Sequence, residues 1–241
     1  MITLLQVELR KLNGSLALLL AVLAPALPGV LAALSLISAD RSPRWASIFT
    51  GFVLPIWSLF LLPMVVAAFT TLVGQVEYRA RGWDHLLALP IARWRLFLAK
   101  AVVVLAATAM MTLLVLLFTW MGASLGGAIG GHAPLGAVPW AKLAWIVSLL
   151  MTGATMLVVI QLWVALRFAS FVMPLVVGIG GTLVAMAVAM TRTDQAAWFP
   201  WVLPLEILNA PDPIPFALFG GIGGLALLAL MIGHLSRHSF R

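Results

Sequence analysis

The chain has 241 residues, of which 63% are hydrophobic and 9% are charged, and its mean hydropathy is +1.14. These values lie outside the range of globular soluble proteins and place the chain in a lipid bilayer. The sequence contains no Cys, which excludes disulfides, thiolate nucleophiles and Cys-ligated metals. Its net charge of +7 is explained by the membrane topology, without a nucleic-acid partner.

Residues 1–13 are predicted to form a short amphipathic helix at the membrane surface. Apolar side chains recur at helical spacing, and a polar strip follows one position behind them. The apolar strip is Ile2, Leu5, Leu9 and Leu12, and the polar strip is Thr3, Gln6, Arg10 and Asn13. A simple extension of the first span is the alternative. The apolar run that follows lacks a clear signal-peptide cleavage site, so we interpret it as a retained span.

Six apolar stretches are long enough to cross a bilayer, which requires about 20 residues each. They are 15–37, 46–73, 101–121, 143–166, 168–191 and 216–235, and none contains Lys, Arg, Asp or Glu. The predicted fold is therefore an all-α membrane protein with six transmembrane helices in a single domain, 1–241. Prolines inside three spans are expected to kink them, because each removes a backbone donor: Pro25, Pro28, Pro55, Pro63 and Pro174.

The distribution of basic residues predicts that both termini are cytoplasmic. In that orientation the inner segments hold ten basic residues and the outer loops hold four. The inner ten are Arg10, Lys11, Arg79, Arg81, Arg93, Arg95, Lys100, Arg167, Arg237 and Arg241, and the outer four are Arg41, Arg44, Lys142 and Arg192. The inner side then carries the whole net charge.

Glycines and aromatic residues suggest how the spans pack. Gly220 and Gly224 stand at the four-residue spacing that lets helix backbones approach closely, either within the chain or across a dimer seam. The Gly-rich outer segment 122–141 is expected to be a flexible loop. The outer segment 192–215 is rich in aromatics and prolines and is expected to form a short re-entrant or interfacial helix.

Most catalytic and metal-binding chemistry is disfavoured by the sequence. No Gly-Lys pair is present, so the phosphate-binding loop of a nucleotide hydrolase is absent. His234 and His238 have the spacing of a helical metal pair, but no general-base acid follows and an interfacial basic cap is the simpler explanation. The polar side chains within spans are expected to form interhelical hydrogen bonds: Ser58, Thr152, Thr155 and Gln161.

The segment 77–100 is the only long charged stretch, with five basic and two acidic residues. Gly82 precedes a stretch, 83–89, that fits a helix of about two turns closed by Pro90. Asp84 lies near its N-terminus, and Trp83, Leu86, Leu87 and Leu89 give it an apolar side. A basic loop held at anionic headgroups is the alternative, but it does not explain the Gly82 and Pro90 boundaries or the Trp-Asp pair.

The six spans, the amphipathic start and this loop together resemble the ABC-2 type exporter permeases, and the similarity is closest to those of bacitracin and lantibiotic export and immunity. Residue similarity is concentrated at Glu77, Gly82, Leu86, Leu87, Leu89, Pro90, Arg93 and Lys100. The resemblance implies that the stretch 83–89 is a coupling helix that inserts into a separate ATPase subunit. It places Glu77, Arg79 and Arg81 at the rim, and it implies a second contact at the 165–170 turn with Arg167.

By this resemblance the chain is the permease subunit of an ATP-driven exporter for a hydrophobic or amphipathic substrate in a bacterial inner membrane. It would not be an enzyme or carry a cofactor itself, because ATP and Mg would bind the partner ATPase. A second permease chain and membrane lipids are the other expected partners, and nucleic acid is not. The alternatives are a membrane enzyme of lipid metabolism and a non-transporting anchor or sensor subunit.

Overall fold

The computed structural model of the chain describes residues 1–79, 90–191 and 196–237. It confirms the predicted fold class, because the described residues contain six helices that are long and apolar enough to cross a membrane. The helices are α1 (Ile2–Leu12), α2 (Leu16–Ile37), α3 in four consecutive pieces (Ser47–Val53, Leu54–Ile56, Trp57–Leu61 and Leu62–Arg79), α4 (Arg93–Gly130), α5 (Trp140–Arg167), α6 (Val172–Thr191), α7 (Leu203–Asn209) and α8 (Ile214–Arg237).

The second span, α3, alternates between π-helical and α-helical turns. Pro55 and Pro63 lie in this region, and each lacks the N–H that an α-helical turn would use, so the wider turns accompany the interruptions expected from the sequence. Trp57 is fully buried here, and its indole Nε1 donates to the Thr112 hydroxyl of α4 at 3.1 Å. The interruption is therefore held in place by a neighbouring span. Of the six spans, α3 is the most buried and α8 the least.

The Gly-rich segment after residue 121 is helical up to Gly130, which corrects the expectation of a flexible loop over 122–141. Gly122, Gly126 and Gly130 stand at four-residue intervals and face the backbone of α2, where an added Cβ would collide with main-chain atoms. The helix continues because these glycines let two backbones touch. After the helix, the outer segment is bonded to the residues that precede α3, because the Trp45 N–H donates to the Leu135 carbonyl at 3.2 Å.

A second glycine contact joins α8 to α5. Gly220 lies against the backbone of Gly153, and Gly224 lies against Thr155 and Met156. The four-residue spacing in the last span therefore serves packing within the chain, which is the first of the two alternatives drawn from the sequence. Helices α2 and α8, which flank the bundle, are each fixed by small residues to a longer, more buried span.

In the outer segment 192–215, α7 and the turn before it pack inside the bundle. The Trp201 side chain is buried and packs against Gly181 of α6, and Ile207 of α7 packs against Gly153. Gly153 lies 13 residues after the start of α5 and 14 before its end, which is about 20 Å from either end at 1.5 Å per residue. The short helix expected in 192–215 is present and reaches the middle of the spans, so it is re-entrant.

Candidate functional site

Four charged side chains meet where the loop between the second and third spans begins and ends. Glu77 lies two residues before the described end of α3, Lys100 lies on the second turn of α4, and Glu8 and Lys11 come from α1. We call Glu8, Lys11, Glu77 and Lys100 the charge cluster. It joins both ends of segment 77–100 to the N-terminal helix.

Each carboxylate of the charge cluster binds both ammonium groups. Lys11 Nζ is 2.7 Å from Glu8 Oε1 and 2.6 Å from Glu77 Oε1. Lys100 Nζ is 2.6 Å from Glu8 Oε2 and 2.7 Å from Glu77 Oε1. All four distances are those of charge-assisted hydrogen bonds. The result is a closed ring with two positive and two negative charges.

The charge cluster is shielded from solvent. The exposed fraction of the side chain is 2% for Lys100, 5% for Glu77, 11% for Glu8 and 23% for Lys11. The remaining space beside it is about 10 Å³, bounded by Leu12, Val73, Val76 and Val103, which is room for about one water at most. Burial lowers the pKa of Lys11, but hydrogen bonds to Glu77 and Glu8 and their negative charges outweigh that effect, so its pKa lies above the ordinary value.

Helix α1 supports this arrangement by presenting three different sides. Glu8 is buried against the bundle, whereas Ile2 and Leu9 on the apolar strip are 74% and 55% exposed. Gln6 and Arg10 on the polar strip are exposed as well. Members of both predicted strips are thus exposed, and a third side of α1, which carries Glu8 and Lys11, packs against the rest of the bundle.

The end of α3 is also tied to the turn between α5 and α6. The Tyr78 hydroxyl donates to the Leu166 carbonyl at 2.8 Å, and the Gln75 amide donates to the Ala169 carbonyl at 2.9 Å. Arg167 lies in this turn with its guanidinium 5.4 Å from the Phe168 ring centre. The structure thus brings together the base of segment 77–100 and the 165–170 turn, the two regions that the resemblance selected.

The structure describes only some of the predicted coupling residues. Arg79 ends the described part of α3, Pro90 is exposed just before α4, and the Arg93 guanidinium donates to the Ser236 carbonyl of α8 at 3.4 Å. Glu77 points into the charge cluster. The predicted helix itself lies outside the described residues, with Arg81, Gly82, Trp83, Asp84, Leu86, Leu87 and Leu89.

Sequence reasoning gave Glu8 and Lys11 no place in a site, and it counted Lys100 among the residues that carry the resemblance without assigning it a role. The available signal was the small number of acids on the inner side. On the predicted inner side, three acids, Glu8, Glu77 and Asp84, stand against ten basic residues. An acidic residue in a short amphipathic helix is then expected to pair with one of those basic residues. Nothing in the sequence says which lysines provide it.

The polar side chains within the spans have structural partners. With its amide nitrogen toward the Pro174 carbonyl, buried Gln161 donates there at 3.2 Å and accepts from the Gly178 N–H at 3.0 Å, so the expected interhelical bond exists. The hydroxyls of Ser58, Thr152 and Thr155 bond instead to carbonyls of their own helices, which corrects that expectation for them. A short hydroxyl side chain reaches the carbonyl one turn earlier more easily than a neighbouring helix.

The histidine pair expected at the end of the last span is only partly described. Nδ1 of His234 lies 3.1 Å from the Trp163 indole nitrogen, which donates to it, and His238 lies outside the described residues. Across the described ranges, no group of three or more acidic or histidine side chains could hold a metal ion. The described part of the last span therefore provides no metal site.

An apolar cavity of about 380 Å³ lies between α4, α5 and α8 at mid-span. Leu105, Met151, Val158 and Leu225 line it together with Thr108, Thr152 and Thr155. The three hydroxyls already donate to carbonyls of their own helices, so the wall offers no unsatisfied donor. The cavity can accept an apolar group and has no chemistry to hold a charged one.

Comparison with known protein families gives a match over most of the chain. The family model described as "ABC-2 family transporter protein" matches residues 4–201, which is more than half of the 241 residues. The match runs from α1 to Trp201 and so contains the charge cluster and the first five spans. No curated protein and no solved structure matches the chain.

Proposed function

The chain belongs to the ABC-2 transporter family as a multi-pass membrane protein, and we propose that it is the permease subunit of an ATP-driven exporter. Its substrate is a hydrophobic or amphipathic molecule that leaves the cytoplasm or the inner leaflet. ATP is hydrolysed by a separate ABC ATPase subunit, which binds the ATP and Mg. The permease resides in a bacterial inner membrane with both termini in the cytoplasm.

The observation that carries this proposal is the position of the buried charge. In the parts of the chain that the structure describes, the buried ionisable residues are Glu8, Glu77 and Lys100, and all three belong to the charge cluster. Charged side chains are costly to bury even when they are paired, so the place where a fold buries them is informative. Here they support the base of one loop and do not line a path through the spans, as expected if the loop receives a mechanical input from a partner.

The input surface is the helix 83–89. In this proposal the apolar side of the helix, with Trp83 and Leu86, inserts into a pocket of the ATPase, and Glu77, Arg79 and Arg81 form the rim of that contact. The 165–170 turn adds a second contact, which the hydrogen bonds from Gln75 and Tyr78 hold beside the end of α3. This arrangement gives the ATPase a single composite surface from two consecutive inner segments.

The cargo follows from the charge-free spans and the apolar cavity. A charged solute would find no partner at mid-span, whereas a lipid-like chain or the apolar face of a peptide antibiotic of the bacitracin or lantibiotic kind would. Two permease chains and two ATPases form the working unit. The kinked spans α2, α3 and α6 then rearrange at the permease dimer interface when the ATPases close.

The test replaces the proposed docking residues. Trp83→Ala removes a central aromatic anchor, a change that typically costs about 2 kcal/mol or more at an interface, so ATPase recruitment or transport should fall. Leu86→Asp should have a stronger effect, because it places an unpaired charge in the contact. The measurement is co-purification of the ATPase with each variant together with a cellular export or resistance assay.

Arg41→Ala, in an exposed outer segment, is the control and should change neither readout. The permease purified without its partner should hydrolyse no ATP. If Trp83→Ala and Leu86→Asp recruit the ATPase and transport like the parent, segment 77–100 is only a lipid-facing basic loop and the proposal is wrong.

A further inference from the structure

Helix α1 is bonded to both ends of segment 77–100 by charged side chains. Lys11 reaches α3 through Glu77, and Glu8 reaches α4 through Lys100. The other contacts that α1 makes near the cluster are apolar, such as Leu12 against the core. Apolar contacts are non-directional and let helices slide, whereas short bonds between buried charges fix distance and direction. The charge cluster is therefore the directional connection of α1 to the loop.

Helix α1 is also connected stiffly to the first span. Only residues 13–15 separate α1 from α2, and Gly14 turns the chain there with a φ of 71°. The Ser15 N–H donates to the Leu12 carbonyl at 3.1 Å, and the Ser15 hydroxyl accepts from the Leu18 N–H at 3.3 Å. A displacement of α1 is thus passed to the start of α2.

From this geometry we propose that Glu8 and Lys11 are positioning residues that make α1 move with segment 77–100, so that ATPase motion reaches α2 through α1. The inference rests on the proposed function, because it assumes that an ATPase acts on that segment. It adds a second route into the spans, besides the direct continuations into α3 and α4. A ring of four charges suits this role, because displacing any one member breaks a bond in a site that has room for about one water at most.

The charge cluster allows a matched test with four double variants. Each removes one acid and one lysine and leaves one paired acid and lysine, so all four keep the buried site neutral. Glu8→Gln with Lys11→Met leaves Glu77 paired with Lys100 at 2.7 Å and frees α1. Glu77→Gln with Lys100→Met leaves Glu8 paired with Lys11 within α1 and also frees it.

The other two double variants keep α1 attached. Glu8→Gln with Lys100→Met leaves the bond from Lys11 to Glu77, which joins α1 to α3. Lys11→Met with Glu77→Gln leaves the bond from Glu8 to Lys100, which joins α1 to α4. The number and type of removed charges are the same in all four variants, and only the connection of α1 differs.

The readout is the motion of α1 itself. The chain has no Cys, so Gln6→Cys on the exposed strip gives one labelling site for an environment-sensitive fluorophore. Each variant is purified with its ATPase in lipid nanodiscs, and the emission is recorded before and after Mg-ATP is added. We expect a nucleotide-dependent shift in the parent and in both attached variants, and its loss in both freed variants, with ATP hydrolysis retained.

Several outcomes would overturn the inference. If all four double variants lose the shift, the cluster is a purely structural ion network, and if none loses it, α1 does not depend on the cluster. A parent that binds and hydrolyses ATP without any shift shows that α1 is stationary. A parent that recruits no ATPase contradicts the proposed function itself, which is a different result from any of these.

Discussion

Replacing Lys100, the most buried member of the charge cluster, should strongly destabilise the permease. Lys100→Met leaves Glu8 and Glu77 sharing the single ammonium of Lys11, so one buried negative charge has no partner. Breaking a buried ion pair in this way typically costs about 3–5 kcal/mol. For a chain of this length each kcal/mol corresponds to roughly 2–4 °C in the unfolding midpoint. The expected loss is therefore roughly 6–20 °C, measured by fluorescence-detected size exclusion after heating in detergent.

The size of the effect comes from the unpaired charge and not from the loss of a lysine. Arg95→Met, at an exposed basic position on the same helix, should lie within about 0.5 kcal/mol of the parent. Adding Glu8→Gln to Lys100→Met restores neutrality around the pair from Lys11 to Glu77 and should recover most of the loss. Equal stability of Lys100→Met and the parent, or no recovery in the double variant, would refute the reasoning.

Three further predictions concern packing and topology. Gly126→Ala should lower the unfolding midpoint, because its Cβ would meet the Ala33 backbone, whereas Gly180→Ala meets no atom within 4 Å and should not; matching midpoints would contradict the glycine contact between α2 and α4. Trp201→Ala should lower the free energy of unfolding by about 3–5 kcal/mol, because its side chain is buried. Trp198→Ala, at a residue 64% exposed, is the control, and equal unfolding midpoints for the two variants would argue against a re-entrant segment. A reporter inserted at Gly136 should be extracellular and one fused after Arg241 cytoplasmic, as the distribution of basic residues requires; finding both on one side would rule out the six-span topology.

The spans were predictable because apolar runs of about 20 residues have few alternatives to a transmembrane helix. The ends of the spans were harder to predict. The third span was expected to cover 101–121, with an amphipathic helix over 92–100 leading into it, whereas α4 covers Arg93–Gly130 and so extends further only at its C-terminal end. At its start the helix is amphipathic and leaves the hydrocarbon, and at its end it is rich in glycine, which by composition alone favours a loop. Only the presence of α2, with small residues facing those glycines, makes the helical conformation favourable there.

The charge cluster illustrates a limit of a different kind. Counting charges assigns ten basic residues and three acids to the predicted inner side, and the predicted topology accounts for such an excess without any pairing. Two of those three acids nevertheless lie in one buried site, 69 residues apart in the sequence, with two lysines that the count treats like any others. Pairing depends on how α1 is rotated, and its apolar and polar strips constrain only two of its three sides. Glu8 lies on the third side, so its role could be found only once the bundle against which α1 packs was known.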